Sequence, residues 1–404
     1  IIPALGGISV WGGNTAVNYG TATDLQKKSS VSTATILDLV QNRNIAGGGV
    51  NVTSIGVAFQ LKKNSDKPLN FSFTVTDRAN FSAEFPKTMV ELALKGNGVA
   101  PFRGNTVVID QFRASAAWYR EYAIGGSFLL FGHNGTAEGR GLRVGGRIKY
   151  LQGLSAFYLE KSNVAITTDT TNQTVVLDYD ATAYTANTHL DKTENINKTS
   201  GSGLAVDLGA TYFINDNIEV NASLLDLGYL SFNRDVTSYK SSSSYNLESL
   251  VGNFFGSTIS DDNANADNKA ESAFKPNEQK GGSFTMPIGT RTILQGQYKL
   301  KKEKDGKTIY PTRFFLTYIQ GYTNSLQGVT RPYINAAANQ MFGAFNVGGS
   351  LGYGGFNRFI TFGLHTAVTT GGFKFGIGSD NLTGFVSPAN GTGADAYINI
   401  ALAF

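Results

Sequence analysis

No apolar run in this chain approaches the roughly 18 uninterrupted residues that a membrane helix needs, yet apolar residues recur at every second position in stretch after stretch. The last stretch states the pattern most fully. Across 394–404, Ala396, Ile398, Ile400, Leu402 and Phe404 fall on one face, and Asp395, Tyr397, Asn399, Ala401 and Ala403 fall on the other. A helix would scatter these residues around its circumference, so the period of two specifies a strand. About 10 residues is also the length of a tilted strand that crosses a bilayer.

Composition separates a membrane barrel from two or three soluble domains, either of which fits 404 residues. Charged residues make up 16% of the chain, against roughly 25% in soluble domains, and 48 residues are glycine. Mean hydropathy is only −0.13. A chain poor in charge but without hydrophobic blocks spreads its apolar residues by alternation, which is how a transmembrane β-barrel carries its lipid-facing surface. Tyr and Phe dominate the 12% of aromatic residues and suit interfacial girdles. With no cysteine, neither a disulfide framework nor a thiolate metal site can form. The net charge of +4 is not gathered into basic blocks, which excludes nucleic acid as an expected partner. The opening Ile1, Ile2, Pro3 and Ala4 show no basic n-region or apolar h-region, as expected of an exported protein in mature or trimmed form.

Residues 1–49 are Gly-rich, with one helical candidate over 34–43 that Thr33 would cap. Two readings stand for this segment: a surface helix before the first strand, or a hatch-like plug in the mouth of a barrel formed by 50–404. Alternation begins at Val50. Strands are expected over 50–61, 69–76, 107–119, 122–131, 141–151, 156–168 and 174–185, with a short helix over 86–96 between Pro86 and Gly96. The clearest hairpin spans 203–229 and turns at Asn215 and Asp216; its apolar parity slips between Leu224 and Leu225, the mark of a β-bulge. Residues 231–281 are polar, and 261–280 alone hold eight charged residues. This is expected to be a large loop. Strands resume over 282–288, 290–301, 308–322, 341–353, 358–368 and 372–379. The expected fold is all-β, a barrel of about 14 antiparallel strands. With the last strand ending on the periplasmic side, 215–216 and 369–372 become periplasmic turns, and 231–281, 301–307 and 381–393 become extracellular loops.

Assigning the outer face also assigns the lumen. Arg143, Arg147 and Lys149 point inward on one strand, Asp207 and, past the bulge, Asp226 on the hairpin, and Gln295, Gln297 and Lys299 on another. The turn at 215–216 makes Asp207 and Asp226 near neighbours. Opposed lumenal charges either fill the barrel as ladders or line a polar path. The histidines His133, His189 and His365 stand in no metal-ligand motif, and no nucleophile elbow or phosphate loop is present. The run 260–267 lacks the turn Gly and final Glu of an EF-hand. No cofactor, metal or catalytic residue is therefore expected.

Several stretches carry a family likeness: WYREYAIG at 118–125, GLAVDLGATY at 203–212, ASLLDLG at 222–228 and SDNLTGFVSP at 379–388. They resemble a family of outer-membrane proteins of unknown function from the Bacteroidota, itself similar to FadL-type barrels. The closing strand, with Tyr397, Ile398, Ile400 and Leu402 and its terminal Phe404, resembles the signal by which such barrels are recognised for insertion. The alternative is the ordinary last strand of a soluble sandwich or barrel. The family resemblance implies a barrel in the bacterial outer membrane, not an enzyme, that passes small or hydrophobic solutes. Outer-membrane lipid and, during insertion, the barrel-assembly machinery are its implied partners. The Asn-Pro-Ala hatch motif of FadL-type transporters is missing here. The alternative function is a non-transporting subunit of a secretion or assembly complex, with other subunits as partners.

Overall fold

A computed structural model describes residues 6–27, 32–61, 69–110, 112–132, 140–169, 171, 174–188, 198–248, 276–304 and 307–402 of the chain. Along it run the strands β1 (Gly7–Asn14), β2 (Arg43–Leu61), β3 (Leu69–Pro86), β4 (Thr106–Ile109), β5 (Arg113–Phe131), β6 (Gly141–Asp169), β7 (Thr174–Ala186), β8 (Gly201–Phe213), β9 (Ile218–Phe232) and β10 (Val236–Glu248). They continue with β11 (Asn277–Lys280), β12 (Phe284–Pro287), β13 (Arg291–Lys304), β14 (Lys307–Gly321), β15 (Tyr333–Phe342), β16 (Phe345–Gly354), β17 (Asn357–Thr370), β18 (Phe373–Ser379) and β19 (Gly393–Leu402). The helices are α1 (Tyr19–Gln26), α2 (Thr33–Leu39), α3 (Lys87–Lys95) and α4 (Thr383–Val386).

Antiparallel pairing passes from β1 through β2, β3, β5, β6, β8, β9 and β13 to β19, which returns to β1. The result is a closed barrel of 14 strands, the expected fold. Closure satisfies every edge, the condition for crossing hydrocarbon with strands. The outward positions are large and apolar: Ile148 is 68% exposed, Ile124 64%, Ile360 63% and Leu316 59%. In water such a continuous surface would not be tolerated. Aromatic residues rim the belt at both levels, with Tyr150, Tyr229, Tyr322 and Tyr353 at one and Tyr212, Phe342, Phe345 and Phe373 at the other. An even-stranded closed barrel with an apolar belt between aromatic girdles is a bacterial outer-membrane protein.

At the end where β19 finishes, here the lower rim, the joins between neighbouring wall strands are short, as at 214–217, 343–344 and 371–372. The long excursions leave the upper rim. There β6 outruns the wall: its second half pairs with β7 and β4, and β7 pairs in turn with β10. Ile109, Ile166, Val175, Leu177 and Tyr179 form a core for this extension, with Leu92 of α3 against it. A second apolar cluster at the rim joins Ile36 and Val40 at α2 to Ala16, Phe85 and Val90. Ser32, rather than Thr33, caps α2, its hydroxyl accepting from the Thr35 amide at 3.1 Å.

Four expectations need correction. Residues 1–49 are not a separate plug, because β1 lies in the wall between β19 and β2, and β2 already begins at Arg43. The stretches 107–119 and 122–131 are not two strands: 113–131 is the single strand β5, and 106–109 is the separate β4. Likewise 141–151 and 156–168 are one strand, β6, and 341–353 begins within β15 and runs through β16. The third correction concerns 231–281, which contains β10 and β11; residues 249–275 of it lie outside the described residues, as do His133, His189 and the run at 260–267. Finally, 301–307 joins β13 to β14 at the lower rim, beside the 214–217 turn, since Tyr298 pairs with Ile218.

Candidate functional site

The lumen is built in three layers, set by which residues the wall strands turn inward. At mid-height lies a buried ion network. The expected bulge forms where Val206 pairs with Leu227 but Leu208 pairs with Leu224, so Leu225 and Asp226 together oppose Asp207. Asp226 takes a φ of 57°, in the left-handed region that Asp tolerates better than most residues. That local turn aims its carboxylate into the lumen, the re-aiming that bulges provide. Lys149 Nζ then lies 2.6 Å from Asp226 Oδ1, 2.7 Å from Asp207 Oδ1 and 3.7 Å from Glu121 Oε2. Arg291 reaches the other Asp226 oxygen at 2.9 Å, Arg78 lies 3.1 Å from Glu121, and Arg147 stands 4.0 Å from Asp207. The Asp226 amide donates to Asp207 Oδ1 at 2.8 Å. Lys149 is 2% exposed, so it, Glu121 and Asp226 are held by one another rather than by water, while Arg147 stays half-buried at the edge of the network.

Above the network the lumen is packed. The connection between β14 and β15 folds inward and crosses the barrel to the opposite wall. Leu326 is fully buried against Tyr119, Leu151, Leu230, Phe232, Met286 and Ile288. Its amide donates to Ser115 Oγ on β5 at 3.2 Å, and Ser325 Oγ lies 3.3 Å from the same oxygen. Asn324 donates to Glu84 of β3 at 2.8 Å, and Gln327 donates to Asn51 of β2 at 3.1 Å. Arg78 also donates to Gln327, at 3.2 Å, which ties the crossing loop to the ion network below it. Gly289, with a φ of 88°, lets the loop approach: a Cβ there would lie 2.5 Å from the Gly328 amide nitrogen.

Below the network the lumen opens as a polar vestibule. One cavity of about 720 Å³ lies against β3, β5, β6 and β8, lined by Arg143, Arg147, Ser127, Gly145 and Gly209. Further round, Lys299 pairs with Glu219 at 2.7 Å, and Gln295 donates to Thr317 at 3.0 Å. His365, on the lumen side of β17, pairs with Asn339.

The structure thus brings Arg147, Lys149, Asp207 and Asp226 into one network and leaves Arg143 and Lys299 in the vestibule. Gln297 is nearly buried on β13, beside the Lys299 position. On β19, Tyr397 faces inward and Ile398 outward, with Ile400 opposite Phe375 and Leu402 opposite Phe373; Phe404 lies outside the described residues. Sequence reading missed Arg78, Glu121, Arg291 and the crossing loop. Arg78 and Glu121 stand on the inward parity of β3 and β5, which is the signal that marks them. Arg291 shares the inward parity of Gln295 and Gln297, but placing it beside Asp226 required knowing that β13 returns to β9 after an excursion of nearly sixty residues.

A family model described as a family of unknown function, DUF5723, matches residues 1–380. The chain belongs to this family. Among curated proteins none matches it. Solved structures similar to this DUF5723 chain include the toluene transporter TodX of P. putida, at 8% identity and a TM-score of 0.42, over 98% of this chain and 89% of that one. The Ralstonia pickettii toluene transporter TbuX is similar at 8% identity and 0.38, over 99% and 90% of the two chains. The translocator domain of the autotransporter NalP from Neisseria meningitidis is similar at 9% and 0.33, over 98% and 87%.

Proposed function

We propose that this DUF5723 protein is a gated conduit for small polar solutes across the outer membrane, closed in the conformation described, with the crossing loop at 322–330 as its gate. The observation that carries this reading is the contrast inside one continuous wall: among the described residues a vestibule in the lower half leads up to the ion network, and above that network the lumen is filled by a loop held on the far wall by one apolar side chain and a few hydrogen bonds. Leu326 is that side chain, and Ser115, Asn51, Arg78 and Glu84 supply the bonds. A seat of this size is small enough to release. Short turns at the lower rim and long excursions at the upper rim favour a vestibule that faces the periplasm. The polar vestibule favours hydrated solutes over the hydrophobic ones that the FadL resemblance implies.

The chain lacks cysteine, so the gate can be tested by a single engineered disulfide. Ser115→Cys with Ser325→Cys places the two sulfurs where hydroxyls now lie 3.3 Å apart. In planar bilayers the oxidised double variant is expected to stay silent and the reduced one to show opening events. Silence in both states, and also after residues 323–329 are replaced by two glycines, would overturn the conduit reading. That outcome would favour the second reading, a closed barrel that serves as a subunit of an outer-membrane complex, which the fully packed upper lumen also suits.

A further inference from the structure

The vestibule wall is hollowed in one place, and the strand register shows how. Asn70 pairs with Ser127, Ser127 with Gly145, Gly145 with Gly209, and Gly209 with Ser223, so one inward row across five strands carries only small or short polar residues. The row above it contains Gly125, Arg147 and Asp207; the row below contains Leu129, Arg143 and Thr211. Two guanidinium groups on β6 therefore bracket the hollow, with their Cα atoms about 13 Å apart along the strand.

These two arginines differ. Arg147 stands near Asp207, whereas Arg143 has no ion-pair partner among the described residues, and its Nε and Nη2 are shielded from bulk solvent with no hydrogen-bond acceptor. Nε and Nη2 form the side-on edge, one of the two by which a guanidinium grips an oxyanion with two parallel hydrogen bonds. Nearby acceptors are committed: Asp207 to Lys149, Glu219 to Lys299, and Asn221 Oδ1 to the Thr211 hydroxyl at 2.6 Å. Ser127 and Ser223 add hydroxyls at the flanks of the cavity. A shielded cation with its bidentate edge unmet is stabilised by an acceptor bound in the cavity.

We infer that this hollow is a seat for a small oxyanion, a phosphate or carboxylate group gripped by Arg143, with Arg147 as the second cation. For where the bound group travels, this rests on the conduit reading; for whether it binds, it does not. The test is equilibrium dialysis of labelled inorganic phosphate against the full chain in detergent micelles, with folding of each variant confirmed by heat-modifiable gel mobility. R143Q is expected to weaken phosphate binding at least tenfold and R147Q about threefold, while R143K falls between R143Q and wild type. K161Q, in the extension above the upper rim, is expected to bind like wild type. Mass spectrometry of the purified protein separates the two sources of the chemistry. A phospholipid retained by wild type and lost from R143Q assigns the seat to a headgroup, and free phosphate binding without bound lipid assigns it to a solute. Unchanged phosphate binding in a folded R143Q overturns the seat and leaves the conduit reading standing. A barrel that binds phosphate through Arg143 yet never conducts upholds the seat and overturns the conduit.

Discussion

The upper and lower halves of the lumen are lined by the same strands, yet one is a packed core and the other a water-accessible vestibule. On β5 the inward residues run Ala117, Tyr119 and Glu121 through the upper part, then Ala123, Gly125 and Ser127 below. On β8 they run Gly203, Ala205 and Asp207, then Gly209 and Thr211. The wall does not change between the two halves, so the barrel alone does not decide whether its interior is filled. What decides is whether a connection at the rim has a side chain to insert and a layer of charge on which to rest.

Substitutions that are chemically alike but lie in different halves test that contrast. The largest difference is expected between the two paired lysines. Lys149→Met would leave Glu121, Asp207 and Asp226 short of a buried partner and cost about 3–5 kcal/mol. Lys299→Met, beside a vestibule-facing Glu219, would cost about 1 kcal/mol or less. Urea unfolding in lipid vesicles reads both, and equal losses would break the distinction between the halves. Leu326→Ala removes the one apolar anchor of the crossing loop from a filled site, for about 3 kcal/mol, and in bilayers it should also raise the frequency of opening events. A smaller effect comes from adding volume. Ala205→Val, in the packed half, should lower stability by about 1–3 kcal/mol through overpacking. Gly209→Ala would bring a new Cβ to 3.3 Å from Ser223 Oγ, a tight contact that a small rotation of that hydroxyl relieves, and to 3.8 Å from the Ala222 carbonyl, so it should change stability by no more than about 0.5 kcal/mol. If both additions destabilise alike, the lower half is as tightly packed as the upper.

The inner and outer faces were legible wherever apolar residues were large. The 203–229 hairpin gave its parity, its turn and its bulge, and with them the contact of Asp207 and Asp226. Two strands escaped because small residues hide alternation: β1 reads GISVWGGN, and β15 reads YINAAANQMF, where alanines occupy much of the outward face. Losing β15 reversed the direction of every strand before it, and counting 282–288 as a spanning strand reversed it back. The turn at 215–216 therefore fell at the correct rim while 301–307, between the two slips, fell at the wrong one. The expected strand number also agrees with the structure although its members differ, since two long strands had each been divided in two. The crossing loop had no signal of its own. Asn324, Ser325, Leu326 and Gln327 look like any surface connection, and only the far wall that curvature brings to them makes them a plug.

The seam between β1 and β19 pairs Ile8 with Ile398 and Gly13 with Gly393, partners separated by nearly the whole length of the chain. Every other join in the wall links strands that are closer in sequence, so a growing sheet can zip from neighbour to neighbour but cannot become a cylinder until β19 arrives. Contacts of such separation form late and slowly. Until then β1 presents an unpaired edge, open to foreign strands. The topology therefore makes the β1–β19 seam the join that converts a sheet into a cylinder, and the unpaired edge of β1 the part of the wall most in need of protection until it forms.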